Sequence, residues 1–468
     1  MYIQRILGII SLVLITLSTM AVQPTHRVEL PSHISSVAVF PDLKHCVVVT
    51  DNVYGKHDYI TMIDMENSKA LWRINVNNLN FHIKPTPHGL VLTTGIDTKA
   101  SHTSLIDTHT GQRIYEFQFY PLFISSDPDV MIGYKKASSK TAEAYRLSNG
   151  EKLWTSKIKP GKVSFWSTMT RIDKNHLALI GKSLYMVDIN TGHFISQPLK
   201  TEITKFTKAD RTATAVSATL GIAAALLTGG ASFFLISQGT PVYGAHSNIL
   251  SHNNRIYISD RNNLYCYDHY LTPIWQHDFD NKTATNANLD INADTLVMTN
   301  WGIGYTYNGP IYLGNECIMT FDAKTGTETG RIDLSKTWDS NRFGDDMTCQ
   351  PGALFMVRHD KHQLMYIPQP SLSVAMYDTV GNVIVFDKDY REVANVPNDK
   401  LAIMTGRDNQ YTLYENPNQN NRLYVADDDL NIILNVEDEY LSAYLMQKKL
   451  FLIKKNEMLI YNITDSSS

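Results

Sequence analysis

Hydrophobic residues occur along this chain in short runs separated by polar turn residues, and helical periodicity is scarce. The run Val37–Val49 reads Val-Ala-Val-Phe, then a turn, then Cys-Val-Val-Val, which predicts two buried strands in a hairpin. Similar pairs of runs precede Asp107 and Asp188. The pattern therefore predicts an all-β protein.

One unit recurs along the chain: a strand that ends in Asp, a polar tetrapeptide that often ends in Thr-Gly or Asn-Gly, and a second strand that often carries an aromatic residue. Successive copies lie 43, 39 and 42 residues apart (64, 107, 146, 188), a period suited to a four-stranded unit. Glycine supplies the positive φ of a tight hairpin, and we expect the Asp to cap the turn. In the three clearest copies the aromatic follows the first polar residue by eight positions: Asp64 and Trp72, Asp107 and Tyr115, Arg146 and Trp154. Looser copies follow at Asp188, Asp268 with Trp275, Asp322, Asp387, Asp427 and Ile460.

Four-stranded sheets of this kind bury both faces when they are arranged radially, as in a β-propeller. We predict a single propeller over residues 22–468, with eight blades and seven as the alternative count. Each Trp or Tyr is expected to dock between adjacent blades. We expect His26–Leu30 to supply the strand that pairs with the C-terminal run Met458–Ile463.

The pattern Asp-x-x-Thr-Gly-x-x-x-Trp resembles the repeat of the quinoprotein-like (PQQ-like) propeller family, and it covers most of the chain between Val37 and Ile463. That family includes quinone-cofactor alcohol and sugar dehydrogenases, and non-catalytic envelope scaffolds such as the outer-membrane assembly factor BamB. The dehydrogenases carry an adjacent Cys-Cys pair, a stacking Trp, and a calcium ion with a carboxylate base. This chain has no adjacent cysteines, and we map none of the calcium ligands. The resemblance therefore implies the non-catalytic branch and no cofactor.

The N-terminus has the layout of a secretory signal over residues 1–21. Arg5 precedes an apolar run from Ile6 to Leu17, and small residues follow it, although an uncleaved anchor is the alternative. Either way we expect export to the periplasm or cell envelope. No cysteine follows the run, so a lipid anchor of the BamB kind is not expected. Lys and Arg total 42 against 46 Asp and Glu, with no basic stripe, which argues against nucleic acid as a partner.

An apolar insertion is predicted over residues 201–247, within the propeller. Its centre, Ala213–Ser237, has no charge across 25 positions. We interpret it as a helical hairpin broken at Gly229-Gly230; the alternative is a β-hairpin of a degenerate blade around the same glycines. Its predicted contacts with a partner or a membrane surface are Leu220, Leu226, Leu227, Phe233, Phe234 and Leu235.

Candidate recognition residues lie in a loop rich in glycine: Trp301, Tyr305, Tyr307 and Tyr312. This composition favours binding of a peptide or sugar, and packing beneath a long loop is the alternative. We predict no catalytic residue and no metal ligand. The His359/His362 pair is uninformative, and Asp345-Asp346 and Asp427–Asp429 lack the alternating calcium-loop pattern, which favours solvated turns.

Four cysteines, Cys46, Cys266, Cys317 and Cys349, permit a Cys317–Cys349 disulfide or buried free thiols. The sequence as a whole predicts an exported, non-catalytic scaffold that binds envelope proteins, and the resemblance implies a role in outer-membrane protein assembly. The alternative is an enzyme, either a divergent quinone-dependent dehydrogenase or a propeller that acts on glycans.

Overall fold

The computed structural model describes nineteen stretches of the chain, and the statements below concern these residues alone: 23–51, 58–76, 81–95, 101–135, 139, 141–158, 169–180, 183–199, 246–260, 262–280, 286–300, 302–306, 309–312, 316–333, 355–358, 364–367, 373–378, 380–416 and 422–463. They are almost entirely β-strand. A short 3-10 turn, Asn398–Lys400, is the helical element found among them. They group into two compact units, one drawn from 1–77, 354–368 and 396–468, the other from 78–353 and 369–395.

The first unit contains three antiparallel sheets. One is formed by β2 to β5: His33–Val39, His45–Asp51, Asp58–Asp64 and Lys69–Val76. A six-stranded sheet has the order β29-β28-β33-β34-β35-β36: Leu364–Ile367, Phe355–Arg358, Leu401–Asp408, Tyr411–Glu415, Leu423–Ala426 and Ile432–Val436. The third has the order β1-β39-β38-β37: His26–Glu29, Glu457–Asn462, Lys449–Ile453 and Ser442–Met446.

The two chain ends share that third sheet, as the sequence predicted. β1 pairs antiparallel with β39, with His26 opposite Ile460 and Glu29 opposite Glu457. Val28 is buried in a cluster with Phe451 and residues of β2 to β4, so this sheet packs on its neighbour through apolar side chains. The N-terminal strand therefore completes a sheet whose other three strands come from the end of the chain.

The second unit contains five four-stranded antiparallel sheets and one of three strands. Three of them are β6 to β9 (Phe81–Thr86, Gly89–Thr94, His102–Ile106, Arg113–Gln118), β10 to β13 (Tyr120–Ser126, Asp129–Tyr134, Ala142–Tyr145, Lys152–Ser156) and β14 to β17 (Met169–Arg171, His176–Ile180, Ser183–Asp188, Phe194–Pro198). The next is β18 to β21 (Leu250–His252, Arg255–Asp260, Asn263–Asp268, Pro273–Asp278). The fifth is β22-β23-β26-β27 (Ala287–Asn292, Thr295–Asn300, Cys317–Asp322, Glu328–Asp333), and the three-stranded sheet is β30 to β32 (Ser373–Tyr377, Val383–Asp387, Glu392–Val396). A separate hairpin, β24–β25 (Ile303–Thr306, Gly309–Tyr312), is inserted between β23 and β26.

Consecutive sheets of the second unit pack face to face. Buried apolar clusters join β6–β9 to β10–β13, then β10–β13 to β14–β17, then β14–β17 to β18–β21, and finally β18–β21 to the fifth sheet. Four-stranded sheets that pack in chain order are consistent with a β-propeller. The predicted number of blades stays a prediction.

The repeated Asp caps the turn between the third and fourth strands, as predicted. In the copy at Asp322, its Oδ1 accepts the backbone N–H groups of Lys324 at 2.9 Å and Thr325 at 2.8 Å. Asp107 accepts from His109 and Thr110 in the same way. These hydrogen bonds satisfy donors that the tight turn would otherwise leave unpaired.

The aromatic residue of one sheet docks on the turn of the next sheet. Trp154 is 9% exposed, and its Nε1 donates to the carbonyl of Ile189 at 2.8 Å, in the turn that follows Asp188. Its ring lies over Gly192, where a Cβ atom would stand 2.6 Å from Cε3. Trp275 on Ala323 and Gly326, and Tyr115 on Leu147 and Gly150, repeat the arrangement. The predicted docking between sheets is confirmed at these three positions.

A β-bulge precedes the docking aromatic, and the sequence analysis did not predict it. Cys266 pairs with Trp275 and Tyr267 pairs with Pro273, which leaves Ile274 as the extra residue on β21. Such a bulge changes which face the following side chain points to. The same register shift recurs in five other sheets, with extra residues Leu71, Ile114, Leu153, Thr329 and Ile433.

Candidate functional site

Each sheet of the second unit has two ends with different connections. One end, which we call the turn edge, carries the hairpins that link first to second and third to fourth strands. The other end, which we call the loop edge, carries the connections from second to third strands and from one sheet to the next. The span 200–245 lies between β17 and β18, and the β24–β25 hairpin lies between β23 and β26. Both therefore leave the sheets at the loop edge.

The chain re-enters the described residues at the junction of two sheets. His246 forms an antiparallel bridge with Asp260 at the end of β19, and Ser247 forms a parallel bridge with Ala287 at the start of β22. In the fifth sheet Ala287 pairs with Asn300, the last residue of β23. The end of the predicted insertion and the base of the hairpin thus belong to one continuous row of paired residues.

Side chains fix this junction on both sheets. Ser247 donates its backbone N–H to the Ser259 carbonyl at 3.0 Å and accepts the Ser259 N–H on its Oγ at 2.8 Å. The Asn248 amide accepts the Leu289 N–H at 2.7 Å and donates to the Leu289 carbonyl at 3.0 Å, as a neighbouring strand would. The junction is therefore a rigid attachment point for the residues that precede it. Burial lowers the pKa of His246, which favours its neutral form.

The hairpin leaves the fifth sheet immediately after Asn300. The Gly302 backbone has a φ of 64°, a left-handed conformation that glycine adopts without strain. Its N–H donates to the Asn300 side chain at 3.4 Å, and Asn300 is fully buried. This turn directs the chain out of the sheet and into β24.

Acidic residues gather around the base of the hairpin. Asp278 ends β21 and accepts hydrogen bonds from Asn263 and Gln276, while Asp280 follows two residues later. In the fifth sheet Asp333 pairs with Cys317, and Glu316 precedes that cysteine. Further carboxylate comes from Asp260, and Arg331 brings a positive charge to the same region. Among the described residues of this part of the loop edge, carboxylates therefore outnumber cations, and Arg261, Lys282 and Lys336 follow in positions that the structure does not describe.

Burial and neighbouring charges both act on the pKa of the Cys317 thiol. Burial raises its pKa to about 11, and the carboxylates of Asp333 and Asp280 act in the same direction while Arg331 opposes them. Burial likewise raises the pKa of the Glu316 carboxyl above its usual value. Asp280 follows β21 and Asp333 ends β27, so carboxylates from two consecutive sheets act on the pKa of Cys317.

The sequence-predicted recognition residues divide between this hairpin and positions that the structure does not describe. Tyr305 lies in β24 and Tyr312 in β25, so the segment predicted as a loop is in fact a two-stranded hairpin. The predicted positions Trp301 and Tyr307 lie outside the described residues. So do the signal at 1–21 and the six apolar contact residues: Leu220, Leu226, Leu227, Phe233, Phe234 and Leu235.

Sequence reasoning missed Ser247, Asn248 and the carboxylates of the loop edge. Ser247 and Asn248 carry no motif and gain their role only from the pairing of two sheets. A signal existed for the carboxylates, because Asp278 and Asp333 each end a fourth strand.

Three of the four cysteines lie within the described residues. Cys46, Cys266 and Cys317 are buried free thiols, and burial raises the pKa of each to about 11 or 12, which disfavours the reactive thiolate. Cys349, His359 and His362 lie outside the described residues, as does Asp345-Asp346. In the described part of the chain no three His, Cys, Asp or Glu side chains form a group that could hold a metal ion.

The Asp427–Asp429 run is a turn, as predicted. The Asp427 carboxylate accepts the Asn431 N–H at 2.9 Å, and Asp428 pairs with Arg407 at 2.9 Å. Over the same described stretches, the structure contains no helix long and apolar enough to cross a membrane.

Comparisons with known proteins find solved structures of similar fold at low sequence identity. No protein-family model matches the chain, and no curated protein matches it in sequence. BamB from Moraxella catarrhalis is 12% identical, with a TM-score of 0.40 over 89% of this chain and 99% of that one. Apo AztD from Citrobacter koseri is 10% identical, with a TM-score of 0.36 over 86% and 94%, and the Dos1 propeller is 10% identical, with a TM-score of 0.37 over 95% and 96%. At these values the neighbours do not indicate what this chain binds, and the all-β, propeller-like architecture rests on the sheets themselves.

Proposed function

We propose that this protein is an exported, non-catalytic scaffold that binds protein partners through the loop edge of its second unit. The observation that carries the proposal is that the longest connections of these sheets leave from the same end. Short capped turns close one end, while the hairpin and the span 200–245 leave from the other. Loops held on a rigid sheet framework are where binding residues concentrate in proteins of many folds.

The rigid junction at Ser247 and Asn248 supports this proposal. A partner-binding segment loses less conformational entropy on binding when both of its ends are already held. The C-terminal end of the span 200–245 is held by paired hydrogen bonds to two sheets. At its N-terminal end, Gln197 of β17 donates to the Leu271 carbonyl of the next sheet at 3.1 Å.

We further propose that the protein works at the cell envelope, in outer-membrane protein assembly. The secretory layout of residues 1–21 and the repeat pattern support this place of action. On this proposal the apolar residues of 213–237 contact a partner or the membrane surface.

Photo-cross-linking in intact cells tests the proposal. A photoreactive amino acid is placed at Tyr312 on the loop edge and, as the matched control, at exposed Thr325 on the turn edge. We expect cross-links to envelope proteins from position 312 and none from position 325. Equal cross-linking from both positions, or none from either, would contradict a loop-edge scaffold.

The enzymatic alternative has its own test. Purified protein is mixed with pyrroloquinoline quinone and calcium and assayed for reduction of an artificial electron acceptor with alcohols and sugars. Turnover above a heat-treated control would overturn the non-catalytic proposal.

Flotation with liposomes tests the proposed membrane contact. The full chain is compared with a chain lacking residues 213–237, and equal flotation of the two would remove the membrane contact from the proposal.

A further inference from the structure

The edge strand of the β14–β17 sheet, β17, differs from its counterparts in the other four-stranded sheets of the second unit. Those counterparts, β9, β13, β21 and β27, each combine at least one charged residue with a β-bulge. β17 reads Phe-Ile-Ser-Gln-Pro, so it carries no charge, and its pairing with β16 shows no register shift. Proteins use charges and bulges on edge strands to prevent pairing with other chains. β17 therefore lacks two common protections.

Apolar side chains of β17 are exposed on both faces of its sheet. Four of its five residues are exposed, among them Phe194 at 37% and Ile195 at 43%. Ile195 lies opposite Met186, which packs towards the β18–β21 sheet. Phe194 lies opposite Val187, which packs towards the β10–β13 sheet. Within the described residues β17 pairs with β16 alone, so its outer edge is suited to the addition of a further strand.

The outward-pointing backbone groups of β17 follow from its register. The Asp188 N–H donates to the His193 carbonyl at 2.8 Å, and bonded and non-bonded pairs alternate from there. The non-bonded positions of β17 are then Phe194, Ser196 and Pro198. Their carbonyls, and the N–H groups of Phe194 and Ser196, point away from β16. Pro198 has no N–H group, so the edge lacks a donor at the C-terminal end of the strand.

This edge is complementary to itself in the antiparallel direction. With a two-fold axis at Ser196, each Ser196 lies opposite the Ser196 of a second copy, and each Phe194 lies opposite Pro198. The two serines exchange both main-chain hydrogen bonds, and each Phe194 N–H donates to a Pro198 carbonyl. The missing donor of Pro198 therefore removes hydrogen bonds only at the two ends of the pair. Ile195 and Gln197 lie opposite each other, so no charged side chains are paired along the strand.

The charges at the two ends of β17 are opposite in sign. Asp188 and His193 precede the strand, and His193 is neutral at pH 7 in the formal charge count. Beside its C-terminal end come Lys200 and Glu202, with Lys182 before β16, in positions that the structure does not describe. In an antiparallel pair the end that carries Asp188 in one copy adjoins the positively charged end of the other. Opposite charges therefore adjoin at both ends of the contact.

We propose that β17 pairs antiparallel with β17 of a second copy of this chain, so that two β14–β17 sheets join into one eight-stranded sheet. Two-fold contacts of this kind are the commonest in homo-oligomers. The contact forms main-chain hydrogen bonds and covers Phe194 and Ile195, but a five-residue strand is much smaller than a standard interface of about 1,600 Å². The dimer is therefore expected to dissociate on dilution. Dimer formation goes beyond the scaffold function proposed above, because each dimer presents two loop edges to a partner.

Variants at Ser196 separate the backbone from the side chain. Ser196→Pro removes an outward N–H and leaves the bonded pairs of β17 with β16 in place, whereas Ser196→Thr keeps that N–H. Sedimentation equilibrium of the purified chain over a series of concentrations measures the dimer dissociation constant. We expect the wild-type chain and Ser196→Thr to dimerise and Ser196→Pro to weaken the dimer at least about 10-fold, because hydrogen bonds are lost at the axis. A wild-type chain that stays monomeric at every concentration, or equal constants for the two variants, would overturn the proposal.

A charge at the same position tests the contact without a proline. Ser196→Lys places two ammonium groups opposite each other at the two-fold axis. The matched control is Thr155→Lys, which adds the same charge at an exposed position of β13. We expect Ser196→Lys to weaken the dimer at least about 10-fold at low salt, with partial recovery at high salt, and Thr155→Lys to leave it unchanged. Equal weakening by the two substitutions would show that the dimer does not form through β17.

Disulfide formation tests the register. Ile195 of one copy faces Gln197 of the other, so the double variant Ile195→Cys, Gln197→Cys should form a covalent dimer on oxidation. Ile195→Cys alone is the control, because the residue opposite position 195 is position 197. Non-reducing gel electrophoresis of the oxidised proteins measures the linked fraction. Equal linkage in the single and double variants would overturn antiparallel pairing centred on Ser196.

Discussion

At the scale of single residues, the contact between Trp154 and Gly192 shows why the repeat requires glycine. The glycine has a φ of 72°, and a Cβ atom there would stand 2.6 Å from the indole ring. Two requirements thus coincide at one position: a left-handed backbone and space for the ring of the preceding sheet. The repeat predicted the first requirement, because Thr-Gly marks a tight turn, and only the packed structure shows the second.

We expect Gly192→Ala to lower the free energy of unfolding by about 2–4 kcal/mol, the sum of left-handed strain and overpacking against the indole. Gly406→Ala is the control, since a Cβ atom there would meet Leu413 at an ordinary 3.7 Å. Urea unfolding followed by tryptophan fluorescence measures both. A loss at Gly192 no larger than that at Gly406 would contradict the close approach of the ring.

The turn carboxylates make stability depend on pH. Hydrogen bonds from Thr110 hold the pKa of Asp107 below its usual value, and those from Thr325 do the same for Asp322. A carboxyl with a lowered folded pKa contributes stability above its unfolded pKa of about 3.9, and this contribution is lost as the pH falls through the folded pKa. We therefore expect the free energy of unfolding to fall with acidification below about pH 4.

The double variant Asp107→Asn, Asp322→Asn tests this expectation, because it keeps an acceptor oxygen in each turn but removes the titrating carboxyl. Urea titrations at a series of pH values from neutral to below about 4 should show a shallower fall in its free energy of unfolding. An unchanged slope would show that these two carboxyls do not carry the effect.

At the scale of the strand, the bulge before each aromatic decides where its ring points. Ile274 is the extra residue on β21, and it is 44% exposed, while Trp275 packs against the next sheet. In β14–β17 no aromatic follows Asp188 at the eight-residue spacing, and the pairing of β16 with β17 shows no register shift. The bulge also occurs before Gly330 and Leu434, so it does not require an aromatic; where an aromatic follows, as at Trp275, the bulge sets the face to which the ring points.

Deleting Ile274 should cost much more than replacing it. Without the extra residue, Trp275 would face the opposite side of the sheet and its contact with the next sheet would be lost, at about 3–5 kcal/mol. Ile274→Thr keeps the bulge at an exposed site and should change the free energy of unfolding by less than about 1 kcal/mol. Chemical denaturation of the two variants measures the difference, and similar values for both would show that the bulge does not orient the ring.

The strand scale also shows what the sequence could and could not predict. The capped turns and the docking aromatics were predictable because Asp, Thr-Gly and Trp are local signals at fixed spacing. The bulges were not, because one extra residue hardly disturbs an alternating pattern of short strands. Asn308-Gly309 is a hairpin signal between short β-forming runs, yet the abundance of glycine and tyrosine led to the prediction of a loop. Ser247 and Asn248 act through pairing with β22, some forty residues further along the chain, which no local pattern reveals.

At the scale of the whole chain, the two ends of the sequence meet in one sheet. β1 pairs with β39 along its full length, and Val28 and Leu30 are buried among residues of β2 to β4 and β38 to β39. The sequence analysis predicted this pairing from the two hydrophobic runs His26–Leu30 and Met458–Ile463. The pairing closes contacts between residues that lie far apart in the sequence, so it is expected to form late in folding and to stabilise the first unit as a whole.

A chain that begins at Pro31 should therefore be less stable than one that begins at Gln23. Removing β1 exposes Ile460 and Phe451 and eliminates the burial of Val28 and Leu30, for a loss of about 3–5 kcal/mol in the free energy of unfolding. The control is Arg27→Ala in the longer chain. It removes an ion pair with Glu457 at 2.9 Å whose arginine is 57% exposed, and such a pair contributes less than about 1 kcal/mol. Denaturant titrations compare the three proteins. If the shorter chain had the same free energy of unfolding as the longer one, and Arg27→Ala were also neutral, β1 would not contribute to stability. The other three strands of the sheet would then have to be stable with the outer edge of β39 unpaired.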